Sequence, residues 1–202
     1  MKDEFVHMEV YSFSEIVGKY HKGIITLKEK DGNRFVPVVC DIKEKDRINA
    51  FLTDNAISID NRFSGFRAFL KMIVPTLKKD YDLVVVKLII GRYLACLCRK
   101  GNELPDLIND DMIRIEDAII ISHVAKMPLY MSHSLLKAQA IKVSPGVPLI
   151  ALPYTVLSND MLEEAYTKAI DDERYETAQV LKFELDRRKH LGRHPLLNDN
   201  SQ

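Results

Sequence analysis

Residues 112–139, MIRIEDAIIISHVAKMPLYMSHSLLKAQ, decide how this chain is read. Met112 to Ile115 suits a short strand, and Glu116 and Asp117 then fall in the first turn of a helix, where carboxylates meet the positive end of the helix dipole. From Ala118 to Ala125 the residues are apolar on nearly every face, interrupted only by Ser122 and His123. A helix of that kind has to be covered by protein on most sides. Pro128 cannot continue it, Leu129-Tyr130-Met131 suits a second short strand, and Ser132 is an expected N-cap for a helix through Ala140. Strand, buried helix, strand and helix in one run mark the centre of a compact α+β domain.

Upstream, strands are expected over Phe5 to Phe13 and Gly23 to Lys28, joined by a polar connection from Gly18 to Lys22. Asp31-Gly32 signals a hairpin into a strand from Arg34 to Cys40, in which Pro37 calls for an edge or a bulge. Asp41 can cap a helix to about Asn55, with Ile42, Ile48, Phe51 and Leu52 inside and the Lys43-to-Arg47 charges lying mostly outside. Phe66, Phe69, Leu70 and Ile73 give a further helix its inner stripe. The β-branched run from Leu83 to Ile90 reads as a central strand, turned by Gly91-Arg92 into Tyr93 to Arg99. Gly101 to Asp111 is a polar loop.

Downstream, Pro145, Pro148 and Pro153 make the segment from Val143 to Tyr154 a semi-rigid arm, and the domain boundary is expected at its end. Beyond it Leu162, Ala165, Ala169, Ala178, Leu181 and Leu185 recur at helical spacing across two runs, which predicts an antiparallel helical hairpin. The expectation is a mixed, mainly antiparallel sheet packed with helices over 1–154, a hairpin over 155–192 and a tail over 193–202. A hairpin this small buries little by itself, so it should pair with its own domain, a second copy or another protein.

The composition narrows the function classes. Lys and Arg number 29 against 29 Asp and Glu, so the broad basic footprint of a tight duplex binder is absent and any nucleic-acid contact depends on a local patch. Cys40, Cys96 and Cys98 lie in apolar strand-like runs and read as buried hydrophobes in a reducing compartment. No apolar signal core or membrane-length run occurs, so a cytoplasmic protein without membrane association is expected.

Asp110, Asp111, Glu116 and Asp117 gather carboxylates at the start of the central helix, whose free amides with Arg114 could hold a phosphate. Hard divalent ions take such oxygen ligands. The plain alternative is that Asp117 charges the helix start and pairs with Arg114. His133 reads either as an exposed residue beside a cap or as a general base, and His123 as a core histidine. Arg187-Arg188-Lys189 with His190 forms a basic helix end that could touch nucleic acid, although cations are favoured there without any ligand.

Two stretches resemble known families. Arg114-Ile115-Glu116-Asp117-Ala118-Ile119 with Pro128-Leu129-Tyr130-Met131-Ser132 is similar to the bifunctional nuclease domain, where Arg-Pro-Ser-Asp-Ala-Ile precedes Pro-Ile-Tyr-Val-Ser. Residues Thr26 to Val38 resemble that family's first hairpin. The resemblance implies metal-dependent hydrolysis of RNA or DNA with Mg2+ or Mn2+, Glu116 and Asp117 as metal ligands, Arg114, Asp117 and His133 as catalytic residues, and a homo-oligomer. The family's acidic residue, Pro and Ser fall at Met112, Ile115 and Glu116, its Thr-His-Asp is missing near Arg62, and His133 replaces an Asp. The hairpin resembles the UVR motif of the repair proteins UvrB and UvrC through Tyr175-Glu176-Thr177-Ala178, with Lys182-Phe183 in place of Arg-Asp. It implies a protein partner. The competing expectation is a non-catalytic regulatory module acting through that hairpin.

Overall fold

The computed structural model describes residues 4–16, 19–53, 64–100, 112–142 and 152–192. The chain divides into two compact units, 1–150 and 151–202. The break falls ahead of Tyr154, because the carbonyls of Tyr154, Thr155 and Leu157 are ligated by Arg188 of the second unit.

The first unit is an α+β fold around an eight-stranded sheet. Its strands are β1 (Phe5–Ile16), β2 (Lys19–Glu29), β3 (Arg34–Asp41), β4 (Tyr81–Ile89), β5 (Arg92–Arg99), β6 (Ile113–Arg114), β7 (Leu129–Ser132) and β8 (Ile141–Lys142). The spatial order is β6-β5-β4-β7-β1-β2-β3-β8, and every neighbour pairs antiparallel except β4 with β7. The helices are α1 (Ile42–Leu52), α2 (Ser64–Asp80), α3 (Ile115–Ala125) and α4 (His133–Gln139). The structure thus has the mixed, mainly antiparallel sheet that the residue patterns predict.

Period-2 alternation divides the strand residues between two faces. Ile25, Leu27, Val36, Val38, Leu83, Val85, Ala95, Leu129 and Met131 are fully buried, and α1 and α3 pack against the strands. Although four strands separate them in the sheet, β3 and β5 touch. The sheet therefore curls strongly, and the curl brings the start of α1 towards the β5–β6 edge from which α3 departs.

Several local expectations hold and others change. No residue of α3 is exposed, and its end is closed by Lys126 at φ 50°, with the Met127 N–H donating to the Ser122 carbonyl at 3.0 Å. Ser132 caps α4 by accepting from the Leu135 N–H. Pro37 lies where β3 has no outer partner among the described residues, since β8 pairs only with Arg34 and Phe35. Asp41 precedes α1 as expected but makes no side-chain cap, because Lys22 takes its carboxylate at 2.7 Å. The connection expected at Gly18 to Lys22 is shorter, with β2 already running at Lys19. The β4–β5 turn sits on Ile90 and Gly91, at φ 49° and 75°, one residue earlier than expected. Two positive φ values suit a hairpin turn, and a β-branched residue in one of them is strained. Phe69, expected inside, is half exposed while Leu70 carries the buried position. Gly101 to Asp111 and the proline arm from 143 to 151 lie outside the described residues.

The second unit is a hairpin of α5 (Asn159–Asp171) and α6 (Tyr175–Gly192), preceded by a single 3-10 turn at Tyr154–Val156. Leu162, Ala169, Ala178, Leu181 and Leu185 form its core, with Leu157, Ala165 and Tyr166 against them. Among the described residues no helix is long and apolar enough to cross a membrane.

Candidate functional site

The amino end of α3 is where the singled-out residues meet. Arg114 occupies the N-cap position in an extended conformation, so its side chain is free to turn back over the first helical turn. Its Nε donates to Asp117 Oδ2 at 3.0 Å and its Nη2 lies 2.9 Å from the same oxygen. The other oxygen, Oδ1, accepts from Arg47 Nη2 at 3.0 Å, and that nitrogen lies 2.6 Å from Glu44 Oε2. Asp117 is thus gripped from two sides, by its own helix start and by α1.

Arg47 belongs to the charge run whose pattern points mostly to solvent. It follows Glu44 by one helical turn and adjoins Ile48, so it sits at the margin of α1's buried stripe and not on its outer face. Lys45, assigned to the same solvated run, is buried: its stem crosses Gly23, where an added Cβ would meet Lys45 Cδ at 2.8 Å, and its ammonium reaches Glu15 at 3.2 Å. The adjacency of Ile48 to Arg47 was the only local signal available, since the partner carboxylate lies 70 residues away.

Charge and burial set different carboxyls apart. Burial pushes the Glu116 carboxyl above its usual range, and the neighbouring Glu44 and Asp117 add to the effect while Arg114 opposes it. Burial also pushes the Cys40 thiol up to about 12, with the charges of Glu116, Asp41 and Glu44 contributing. Around α3's first turn the structure therefore assembles an exposed guanidinium, a half-buried one, a carboxylate that orients both and a carboxyl that favours its proton.

The other expected participants stand elsewhere. His133 is exposed at the start of α4, its N–H donating to the Glu4 carbonyl at 2.8 Å. Its electrostatic neighbour is Glu29, which Arg34 holds by two bonds of 2.8 and 2.6 Å, and which hydrogen bonding to Arg34 keeps below the usual carboxylate range. Gly32 leaves space there for the Glu29 carboxylate, which an added Cβ would strike. No described hydrogen bond or ion pair links His133 to Arg114 or Asp117. Asp110 and Asp111 lie outside the described residues. Among the described residues no three His, Cys, Asp or Glu side chains are grouped to hold a metal ion. Both Asp117 oxygens are occupied by guanidinium groups, so this carboxylate positions Arg47 and Arg114, the two groups here that suit an anion.

The basic end of α6 is also partly consumed. Arg188 is buried, donating to Glu184 Oε1 at 2.7 Å, to the Leu157 and Thr155 carbonyls at 2.7 and 2.9 Å and to Asn159 Oδ1 at 3.1 Å. Arg187 grips Glu184 with two bonds of 2.7 Å. Of the three consecutive basic residues, Arg188 thus ties α6 to the segment ahead of α5 and to its first residue, and Arg187 is paired within α6. Beside them Phe183, Asp186, Arg187, His190 and Leu191 line a groove. Compared with known proteins, this chain matches no family model, and no curated protein matches it significantly.

Proposed function

We propose that the first unit is a nuclease-like domain that binds an RNA or DNA phosphodiester at the amino end of α3 and hydrolyses it. One observation carries this reading: two guanidinium groups converge on Asp117 at the start of α3, and the side chain of one of them, Arg114, is 52% exposed. A planar guanidinium matches two phosphate oxygens, and the amides at the helix start favour the same charge. Asp117 then acts as the group that orients Arg47 and Arg114, and Glu116, whose carboxyl keeps its proton more readily than usual, is the group suited to proton transfer. His133, against Glu29 and Arg34, has no part in the step. The resemblance to bifunctional nucleases supports the same chemistry and a divalent ion such as Mg2+ or Mn2+, but both Asp117 oxygens are already engaged by guanidinium groups, so no step is assigned to a metal.

The test is incubation of the full chain with labelled single-stranded RNA and DNA, in EDTA, Mg2+ or Mn2+, beside Arg114→Ala, Glu116→Gln and Asp117→Asn. Cleavage that falls at least about tenfold in Arg114→Ala and Glu116→Gln is expected, the loss typical of removing a proton-transferring or charge-stabilising group. No cleavage in any condition, or equal cleavage by the variants, overturns the reading.

A second reading rests on the hairpin. Tyr175, Val180, Phe183 and Leu191 are exposed on α6, Phe183 at 72%. Such a face on a small two-helix unit suits a protein partner, as the UVR resemblance implies, and would make the chain a regulatory module in a cytoplasmic complex or homo-oligomer without catalysis.

A further inference from the structure

The face of the sheet opposite the main core carries a second, smaller cluster. Val84, Cys96 and Cys98 are at most 1% exposed, and Phe5, Val86, Met112 and Tyr130 pack against them. Cys96 and Cys98 are two residues apart on β5, which puts both side chains on one face. Their Sγ atoms lie 3.7 Å apart. The β5–β6 register pairs Leu94 with Arg114 and Ala95 with Ile113, so its next step sets Met112 opposite Cys96. Side chains opposite one another across antiparallel strands have Cβ atoms about 5 Å apart. Two thiols therefore lie side by side in an apolar place, with Met112, the residue ahead of β6, packed against their cluster.

We propose that Cys96, Cys98 and Met112 form a binding site for a soft d10 metal ion, Cu(I) in the first instance. Thiolate and thioether sulfurs select Cu(I) over the harder divalent ions, which prefer oxygen and imidazole. Two sulfurs sharing a metal at about 2.3 Å in trigonal or tetrahedral geometry stand about 3.8–4.0 Å apart, so the thiols need almost no movement to share one. That spacing is also ordinary contact between sulfurs, and it is Met112, the residue ahead of β6 packed against the pair, that distinguishes the cluster. A disulfide is the poorer use of the pair. Residues i and i+2 on an extended strand have Cα atoms about 6.6 Å apart, at the far limit for a disulfide, so closing one would buckle β5. The two thiols share one contact, in which either sulfur can be the donor. Binding is a ligand exchange without electron transfer: Cu(I) gains Cys96 and Cys98 as thiolates, with Met112 as the neutral donor, and two protons leave for solvent. The site then carries one net negative charge, which the nearby Lys87 offsets in part.

The experiment is anaerobic transfer of Cu(I) from its bicinchoninate complex to the reduced full chain. One equivalent should transfer to the wild type and to Cys40→Ser, which removes the remaining thiol. Cys96→Ser and Cys98→Ser should each lose about 100-fold in affinity, as expected when one of few donors is removed. Met112→Leu should lose less. X-ray absorption at the copper edge of the loaded wild type reads the ligands without any variant: a shell of sulfur alone is expected, and in selenomethionine protein a copper–selenium distance appears. Uptake that survives in the Cys96 and Cys98 variants, uptake lost in Cys40→Ser, a nitrogen or oxygen shell, or no transfer would each overturn the site. None of these outcomes depends on nuclease activity.

Discussion

Two of the chain's arginine–carboxylate pairs set one helical turn apart are used in opposite ways. In the first unit Arg114 and Asp117 stand at the start of α3, with side chains 52% and 27% exposed. In the second, Glu184 and Arg188 stand on α6, with side chains 4% and 1% exposed. The buried pair is completed by backbone: Arg188 spends its remaining donors on carbonyls of the 3-10 turn, so the charge has a partner in every direction. The exposed pair has no such enclosure, and its second guanidinium comes from another helix. Equal spacing along a helix therefore says little about role. Solvent exposure and the identity of the third partner separate a clasp from a group that can be offered to a ligand.

The strongest way to break this contrast is to remove the buried carboxylate. Glu184→Ala leaves Arg188 sealed without its counter-charge, which should cost about 3–5 kcal/mol of stability in the hairpin unit. Thermal and denaturant melting of the full chain, followed by circular dichroism, should show the α5–α6 helices lost before the sheet unit. A drop below about 1 kcal/mol would mean that Arg188 is satisfied by carbonyls alone and that the pair is not a clasp.

The same comparison explains what was legible in the sequence. The hairpin core was readable because Leu162, Ala169, Ala178, Leu181 and Leu185 repeat at helical spacing, and burial there follows from local period. The start of α3 was readable because Glu116, Asp117 and the Ser132 cap carry helix-end chemistry within a few residues. The clasp was not, since Arg188 reaches Leu157 across 31 residues and looks like any cation at a helix end. Nor was Arg47, whose partner lies 70 residues away, or the insertion of β7 between β4 and β1. Those depend on how the sheet curls, which no window of neighbouring residues reports.

A smaller effect is expected at the open pair. Asp117→Ala removes the shared partner of Arg47 and Arg114, yet solvent reaches the site, so stability should fall by only about 1 kcal/mol or less. Denaturant midpoints measured beside Glu184→Ala put the two sites on one scale. A loss as large as that of the buried pair would place Asp117 among structural clasps and remove it from the candidate site.

The smallest and most selective effect is in the pH dependence, where the two units should respond with opposite sign. Burial pushes the Glu184 carboxyl up, but hydrogen bonds from Arg187 and Arg188 outweigh it and hold the group below its usual range. A proton then binds the unfolded chain better, so this contribution is fully present above the ordinary carboxylate value near 4.3 and is lost as pH falls through the folded value. Glu116 is the reverse: its carboxyl is held above the usual range, chiefly by burial, so the fold binds the proton better. The cost of ionising it is absent below about pH 4.3 and grows as pH rises towards the folded value. Glu116→Gln should therefore raise the melting temperature of the sheet unit at pH 7 and lose that advantage in acid. Glu184→Gln should lower the hairpin's melting temperature at pH 7, with the deficit shrinking in acid. If Glu116→Gln lowers the melting temperature at pH 7, the carboxylate is stabilised in the fold, and the group assigned to proton transfer is instead a permanent charge beside Arg114.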